Sequence, residues 1–321
     1  MEEKGLIEAP RQPAVSLNAI DTQSLLDSFM SGKSQKTVQA YRSDVQDFQR
    51  FVGAETEKEA ALRFIAGSLG EANSLALQYR QHLIDRGLQP TTVNRKLSAL
   101  RSLCDMAYTL GMINWKVRVK NQKIVSAMRD TQGPGKSGVQ KLREEIAKRT
   151  DAKGMRDKTI LHLLYDLALR RSEVVGIDLE DVDLDRGTLH ILGKGRLQKE
   201  MLTLPTRTRK ILKDWMNVRG DWTVPLFVNF HHNGNIKGKR LTPDGLYYIV
   251  KNLGKKTGQK VRPHGLRHTS ISEAVRKTQA IGMDVTKVLK FSRHKNLNTL
   301  QVYIDGVEGA QGEIAELVAT D

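Results

Sequence analysis

The second half of the chain contains a set of side chains suited to chemistry on a phosphodiester: Arg170, Lys194, His264, Arg267, His294 and Tyr303. A tyrosine hydroxyl attacking phosphorus builds a pentacoordinate phosphorane whose non-bridging oxygens gain negative charge, so fixed cations are needed beside it. Guanidiniums suit that task because each presents planar, permanently charged donors that grip two oxygens at once, which makes Arg170 and Arg267 the expected clamps. His264 and His294 add hydrogen bonds to the same oxygens, and His264 is also a candidate to take up the tyrosine proton. A phenol of pKa about 10 is a poor nucleophile at neutral pH, and the neighbouring positive charge is expected to favour its ionised form. The leaving 5′ oxygen needs a proton, and Lys194, held on a Gly-Lys-Gly turn, is the expected general acid. Taken singly, each residue has an ordinary reading: a surface arginine, a hairpin-tip lysine, a core tyrosine.

A phosphotyrosyl bond conserves the energy of the phosphodiester it replaces, so neither a nucleotide cofactor nor a metal is expected. The chain has no paired-carboxylate metal site and no Cys and His cluster with zinc spacing. The segment GPGKS resembles a phosphate-binding loop, but Asp130 stands where that motif needs glycine and no strand precedes it. His231 and His232 lie in a polar loop and read as a solvated turn, and His268 reads equally as a packing residue or a site residue.

The charge balance names the partner class. Among 321 residues, 52 Lys and Arg against 36 Asp and Glu leave +16, spread over many segments rather than stacked on one amphipathic helix. Nucleic acid is therefore expected and a membrane surface is not. No apolar run approaches the roughly 20 residues of a bilayer span. The first residues lack the pattern of a secretion signal, and the single cysteine, Cys104, sits among leucines as a buried thiol would. A cytoplasmic, nucleoid-associated protein is expected.

The elements that position these residues follow from periodicity. Residues 1–20 carry no sustained pattern and read as a loose tail. From Ser34 as N-cap, Val38, Tyr41, Val45, Phe48 and Val52 recur at helical spacing, and Val93, Leu97, Leu100, Cys104 and Ala107 do so again. Arg95, Lys96 and Arg101 are expected outside that second stripe, facing phosphate or solvent. With helical stretches at 60–69 and 74–85, residues 21–128 read as an all-helical domain. The polar, glycine-rich segment 129–138 reads as a linker. Beyond it, 158–169 reads as a buried helix delivering Arg170, and 188–192 and 201–204 as strands of a hairpin with 193–196 at its tip. Helices are expected again at 207–218, at 242–253 with Pro243 at its first position, and after Pro263. The tail, 309–321, presents Ile314, Leu317 and Val318 as an apolar edge suited to docking on another protomer.

In order and spacing, LRRSEVVGI with Arg170, the GKG turn with Lys194, RPHGLRHTS with His264 and Arg267, and RHKNLNTLQVYID with His294 and Tyr303 resemble the boxes of the tyrosine recombinases, or phage-type integrases. KTVQAYRSDVQDFQRF and PTTVNRKLSALRSL resemble the two signature helices of that family's core-binding domain. The resemblance covers nearly the whole chain after residue 20. It implies a mainly α fold with a small β-sheet: a helical core-binding domain followed by an α+β catalytic domain at 139–308, the two closing as a C-shaped clamp on duplex DNA. It implies a site-specific recombinase that cleaves and rejoins DNA through a 3′-phosphotyrosyl intermediate, working as a homo-tetramer on two DNA sites to integrate, excise or resolve a DNA element. Glu173 matches a family acidic position and is expected to orient a clamp residue, while Arg95, Lys96 and Arg101 are the expected DNA contacts. Three positions depart from the family pattern. Ser292 and Arg293 replace the usual leucine and glycine before His294, and Arg171 adds a cation beside Arg170. The alternatives are a type IB topoisomerase-like enzyme and a DNA-binding protein without catalysis.

Overall fold

The computed structural model describes residues 22–123, 133–193, 195–231, 234–294, 296–304, 315–316 and 318–319. Two compact units divide at Ala127 and Met128. Outside the described residues lie Lys194, His232, residues 129–132 of the expected linker, the 1–20 tail and most of 309–321, with Ile314 and Leu317. No helix among the described residues is long and apolar enough to cross a membrane.

The first unit is helical: α1 (Thr22–Met30), α2 (Gln35–Val52), α3 (Glu57–Ile65), α4 (Leu69–Asp85) and α5 (Pro90–Thr109). Ser34 caps α2 by accepting the Thr37 N–H, and Gly53 ends it in the left-handed conformation. α3 and α4 both start earlier than hydrophobic spacing predicts, while α4 ends at Asp85 as expected. Thr56 caps α3, and Ser68 with Glu71 forms a capping box that starts α4. Both cap signals stand in the sequence and outrank the apolar pattern there. The core gathers Leu25, Phe29, Phe48, Phe64, Tyr79 and Leu97, with Phe48 edge-on to Tyr79 at 5.1 Å, and Cys104 is buried as expected.

Inside this core lies a charged cluster. Asp44 and Asp47, one turn apart on α2, face α5, where the Lys96 ammonium reaches Asp44 at 3.3 Å and Asp47 at 3.1 Å. Tyr79 donates its hydroxyl to Asp47 at 2.8 Å, and Arg86 pairs with the same carboxylate at 3.1 Å. Burial alone would raise the Asp47 pKa, but the hydrogen bonds from Tyr79 and Lys96 and the Lys96 charge hold it well below the ordinary carboxylate value. Lys96 is thus corrected from a DNA contact to an internal ion-pair partner. It follows Val93 by three residues and precedes Leu100 by four, which places it on the buried stripe. Replacing Lys96 with methionine should lower unfolding free energy by about 2 kcal/mol. That is less than the usual cost of orphaning a buried carboxylate, because Arg95 and Arg86 remain. The shift in urea midpoint measures it, and an unchanged midpoint would contradict the placement.

The second unit opens with α6 (Gly135–Ala147), so the later part of the expected linker is helical; Val139, Leu142 and Ile146 bury along one stripe and draw the segment onto the core. α7 (Ala152–Asp166), the short α8 (Arg171–Val175), β1 (Val182–Asp183), β2 (Thr188–Leu192), β3 (Lys199–Thr203) and α9 (Thr206–Arg219) follow. The strands form an antiparallel sheet of order β1-β2-β3, Leu192 pairing with Lys199, so the hairpin loop is 193–198. A two-stranded ribbon, β4 (Val228–Phe230) and β5 (Ile236–Arg240), precedes α10 (Pro243–Lys256), α11 (Pro263–Ala280), α12 (Lys287–Ser292) and α13 (Leu297–Ile304). The ribbon lacks the alternating pattern that predicts strands, with Gly, Asn and Lys filling it. Leu163, Leu164, Trp215, Phe227, Leu246 and Leu266 centre the main core. A smaller cluster of Ala168, Ile271, Val275, Val288, Leu300 and Tyr303 seats the C-terminal tyrosine.

Candidate active site

The predicted helix at 158–169 ends early, at Asp166, because Ala168 adopts φ 47°, which no right-handed helix accommodates. The break frees the Ala168 carbonyl and brings Arg170 to the N-cap of α8. Three residues on, Glu173 turns back: its carboxylate accepts the Arg170 backbone N–H at 2.8 Å and the Arg170 Nη1 at 2.7 Å. Arg170 keeps its side chain 32% exposed, whereas Glu173 is buried. Helical spacing predicts that contact, and the structure contains it.

α11 starts at Pro263, with His264 exposed in its first turn and Arg267 one turn further along, fully buried. The Arg267 Nη1 donates to the Ala168 carbonyl, and its Nη2 donates to the Ser292 carbonyl and lies 3.3 Å from His294 Nε2. Burial, then the charges of Arg170 and Arg293, push the Arg267 pKa down to about 10, so it remains a cation at neutral pH. His294 lies just past the end of α12. Burial and the charges of Arg267, Arg170 and Arg293 lower its pKa to about 4, leaving a neutral ring. With Nε2 accepting from Arg267, the neutral ring carries its proton on Nδ1, a buried N–H without an acceptor among the described residues.

Tyr303, on α13, is 7% exposed. Its ring lies 5.8 Å from that of His294 and 4.7 Å from that of His268. Burial raises the Tyr303 hydroxyl pKa above its ordinary value, although Arg267 and Arg170 pull the other way. The expectation that positive charge favours the ionised phenol is therefore reversed in balance, because desolvation of the phenolate outweighs the two guanidiniums. His268, which burial and the His264 charge keep below the usual imidazole value, serves as the packing partner of the tyrosine ring.

The fold thus brings Arg170, Glu173, Arg267, His294 and Tyr303 together in one unit, with His264 close enough to depress the pKa of His294. Lys194 belongs to the loop of the β2–β3 hairpin and lies outside the described residues; β2 shares its core with α8 through Leu189, Ile191 and Val174. In the first unit, Arg95 is half exposed and paired with Asp44. Arg101 directs its donors to the Val119 carbonyl at 3.0 Å and to Asn121 at 2.6 Å, which ties down the strap following α5.

Arg293, a departure from the family pattern in the sequence, packs directly against this cluster. It takes the left-handed conformation at φ 56° and buries its guanidinium. Nη2 donates to Glu173 Oε2 and to the Ala168 carbonyl, both at 3.0 Å, while Nη1 donates to the Leu167 carbonyl at 3.0 Å. Burial opposes ionisation of Glu173, but the Arg293 charge, the Arg170 N–H and the Arg170 side chain together hold its carboxyl below the ordinary value. The signal available in the sequence was an arginine where a glycine is expected.

Comparison with known proteins gives a consistent picture. The model of the phage integrase family matches residues 136–308, and that of the phage integrase N-terminal SAM-like domain matches 28–111. A tyrosine recombinase of Synechocystis sp. is 30% identical over 303 residues, covering 92% of this chain and 95% of that protein. The tyrosine recombinase XerC of Thermodesulfovibrio yellowstonii is 28% identical over 303 residues, covering 88% and 92%. In fold, the chain is similar to a XerH site-specific recombinase in a post-cleavage complex with its difH substrate (TM-score 0.67, 19% identity, covering 94% of this chain and 86% of that one). It is also similar to a lambda integrase fragment bound to a core site (TM-score 0.62, 15% identity, covering 88% and 94%).

Proposed function

This chain belongs to the phage integrase family, and on that premise we propose that Tyr303 is the residue through which it becomes joined to DNA. The chain is a tyrosine recombinase: it cleaves and rejoins DNA strands at specific sites through a phosphotyrosyl intermediate. The observation that carries the assignment to Tyr303 is the gathering of Arg170, Arg267 and His294 beside it. In this reading the tyrosine oxygen attacks phosphorus, and the bond to the 5′ oxygen breaks. Arg170 and Arg267 hold the non-bridging oxygens, and the Nδ1–H of His294 supplies a further donor. Because burial keeps Tyr303 a phenol, its proton leaves in the same step, with His264 as acceptor, while Lys194 protonates the departing 5′ hydroxyl. A DNA 5′ hydroxyl from a partner duplex then reverses the reaction.

Double-stranded DNA is the substrate, gripped by both units, with Arg95 offering phosphate contact from the first. The protein acts on the nucleoid as a homo-tetramer on two sites. The 309–321 tail docks on a neighbouring protomer. Deleting it should weaken assembly of the paired-site complex while sparing binding to a single site; unchanged assembly in gel filtration with DNA would refute the docking.

The reaction is tested by incubating the protein with a nicked duplex carrying a site recovered by selecting covalent adducts from a randomised DNA pool. A denaturation-resistant adduct confined to that site is expected. Adducts on every duplex would indicate a topoisomerase-like enzyme, and none on any duplex a pure binder.

A further inference from the structure

Among the described residues, two non-glycine positions have positive φ, Ala168 and Arg293, and they touch. A left-handed residue other than glycine costs on the order of 1–2 kcal/mol, and such strain persists where surrounding contacts over-determine it. Here the Ala168 carbonyl, turned outward by its own left-handed backbone, accepts from two guanidiniums, those of Arg267 and Arg293. The same Nη2 of Arg293 that reaches Ala168 also reaches Glu173, and Glu173 holds both the backbone and side chain of Arg170. The α12 turn that carries Arg293 also presents the Ser292 carbonyl to Arg267. A glycine would hold that turn without strain but would reach none of these partners.

We propose that Arg293 is a positioning residue for strand cleavage, its one guanidinium bracing both phosphate-gripping arginines: Arg170 through Glu173, and Arg267 through the Ala168 carbonyl. The proposal rests on the reading of Arg170 and Arg267 as phosphate ligands. Arg293 is assigned no contact with the reacting atoms: its two Nη groups pair with Leu167, Ala168, Phe291 and Glu173, and its buried Nε pairs with none of the described residues.

Charge assigns it a second contribution. Without Arg293, the two clamp arginines and the Glu173 carboxylate leave one net positive charge, enough for a phosphodiester monoanion. With Arg293 the same group carries two, which matches the doubly negative phosphorane left once the tyrosine proton has passed to its acceptor. A charge that favours the transition state over the bound diester raises the cleavage rate more than DNA affinity.

The test uses the full-length protein and the nicked duplex described above. Arg293→Gly removes the backbone strain and the guanidinium together. The thermal midpoint is expected to fall, because about 1–2 kcal/mol of relieved strain does not offset the unpaired Leu167 carbonyl and the lost partner of Glu173; DNA affinity of the folded protein is expected to change less than about threefold, and single-turnover adduct formation to fall about 100-fold, the scale of a misplaced catalytic group. Arg293→Lys, which restores charge but not the forked geometry, should recover part of that rate.

The pH profile gives a readout that a merely structural role would not move. Glu173 is faced by Arg170, by Arg293 and, more distantly, by Arg267, with Glu200 of β3 also near Arg293. Because Arg293 lowers the Glu173 pKa, removing it raises that pKa, and protonation then releases Arg170 at higher pH. The acid limb of cleavage should therefore move upward in Arg293→Gly, with His294, whose pKa Arg293 also lowers, moving in the same direction.

Adduct formation at the wild-type rate with an unmoved acid limb would overturn the proposal. So would failure to fold in both Arg293→Gly and Arg293→Asn, since each tolerates a left-handed backbone and their collapse would assign Arg293 to stability. If instead the wild-type protein forms no adduct, or Tyr303→Phe still does, it is the assignment of the nucleophile that fails.

Discussion

Replacing Tyr303 with phenylalanine will leave a protein that binds its DNA site and never becomes attached to it. Only the hydroxyl oxygen is removed, and the ring keeps its seat among Ile271, Val275, Leu300 and the His268 ring. Phenylalanine refills that volume, so unfolding free energy should change by less than about 1 kcal/mol. Adduct formation should fall by ~10⁴-fold or more, the scale seen when a covalent nucleophile is deleted from an otherwise intact site. The result is read on denaturing gels with the nicked duplex, alongside affinity for the intact site. A residual adduct within tenfold of the wild-type yield would mean that another side chain is the nucleophile.

Arg267→Lys should combine a loss of rate with a smaller loss of stability. Arg267 is buried, and its planar fork serves the Ala168 carbonyl, the Ser292 carbonyl and His294 together. One ammonium on a flexible stem cannot serve all three and also face a phosphate. Cleavage at saturating DNA should drop on the order of 100- to 1000-fold, as when one preorganised donor is removed from developing charge. A buried carbonyl left unpaired should lower unfolding free energy by about 1–3 kcal/mol. Single-turnover cleavage and a urea midpoint measure the two effects separately. A fall in rate of less than fivefold would argue that Arg267 is a structural tie between α7, α11 and α12 rather than a phosphate ligand.

Asp44, Asp47, Tyr79, Arg86 and Lys96 hold α2, α4 and α5 together with charge. Basic-residue counts therefore overstate what remains for DNA there: Lys96 is fully taken up, and Arg101 is engaged with Val119 and Asn121. Arg95, half exposed beside Asp44, remains open to solvent.

Legible in the sequence are the order of the candidate site residues, the helical character of the first unit, the β2–β3 hairpin and the link from Glu173 to Arg170. These are local or ordered features: helical spacing, cap residues, and boxes whose residue types follow from the chemistry. It also held the signal for Lys96, at stripe spacing from Val93 and Leu100, although charge suggested a surface residue. How the charges balance is visible only in the folded molecule. The raised pKa of Tyr303 and the neutral ring of His294 depend on burial, and the cluster that seats Tyr303 joins α11 and α12 to Ala168, about a hundred residues earlier. Likewise, no local rule places an arginine in a left-handed turn. Arg293 is held there by Glu173 and by carbonyls more than a hundred residues earlier in the chain, and desolvation and long-range pairing of this kind exist only once the helices have packed.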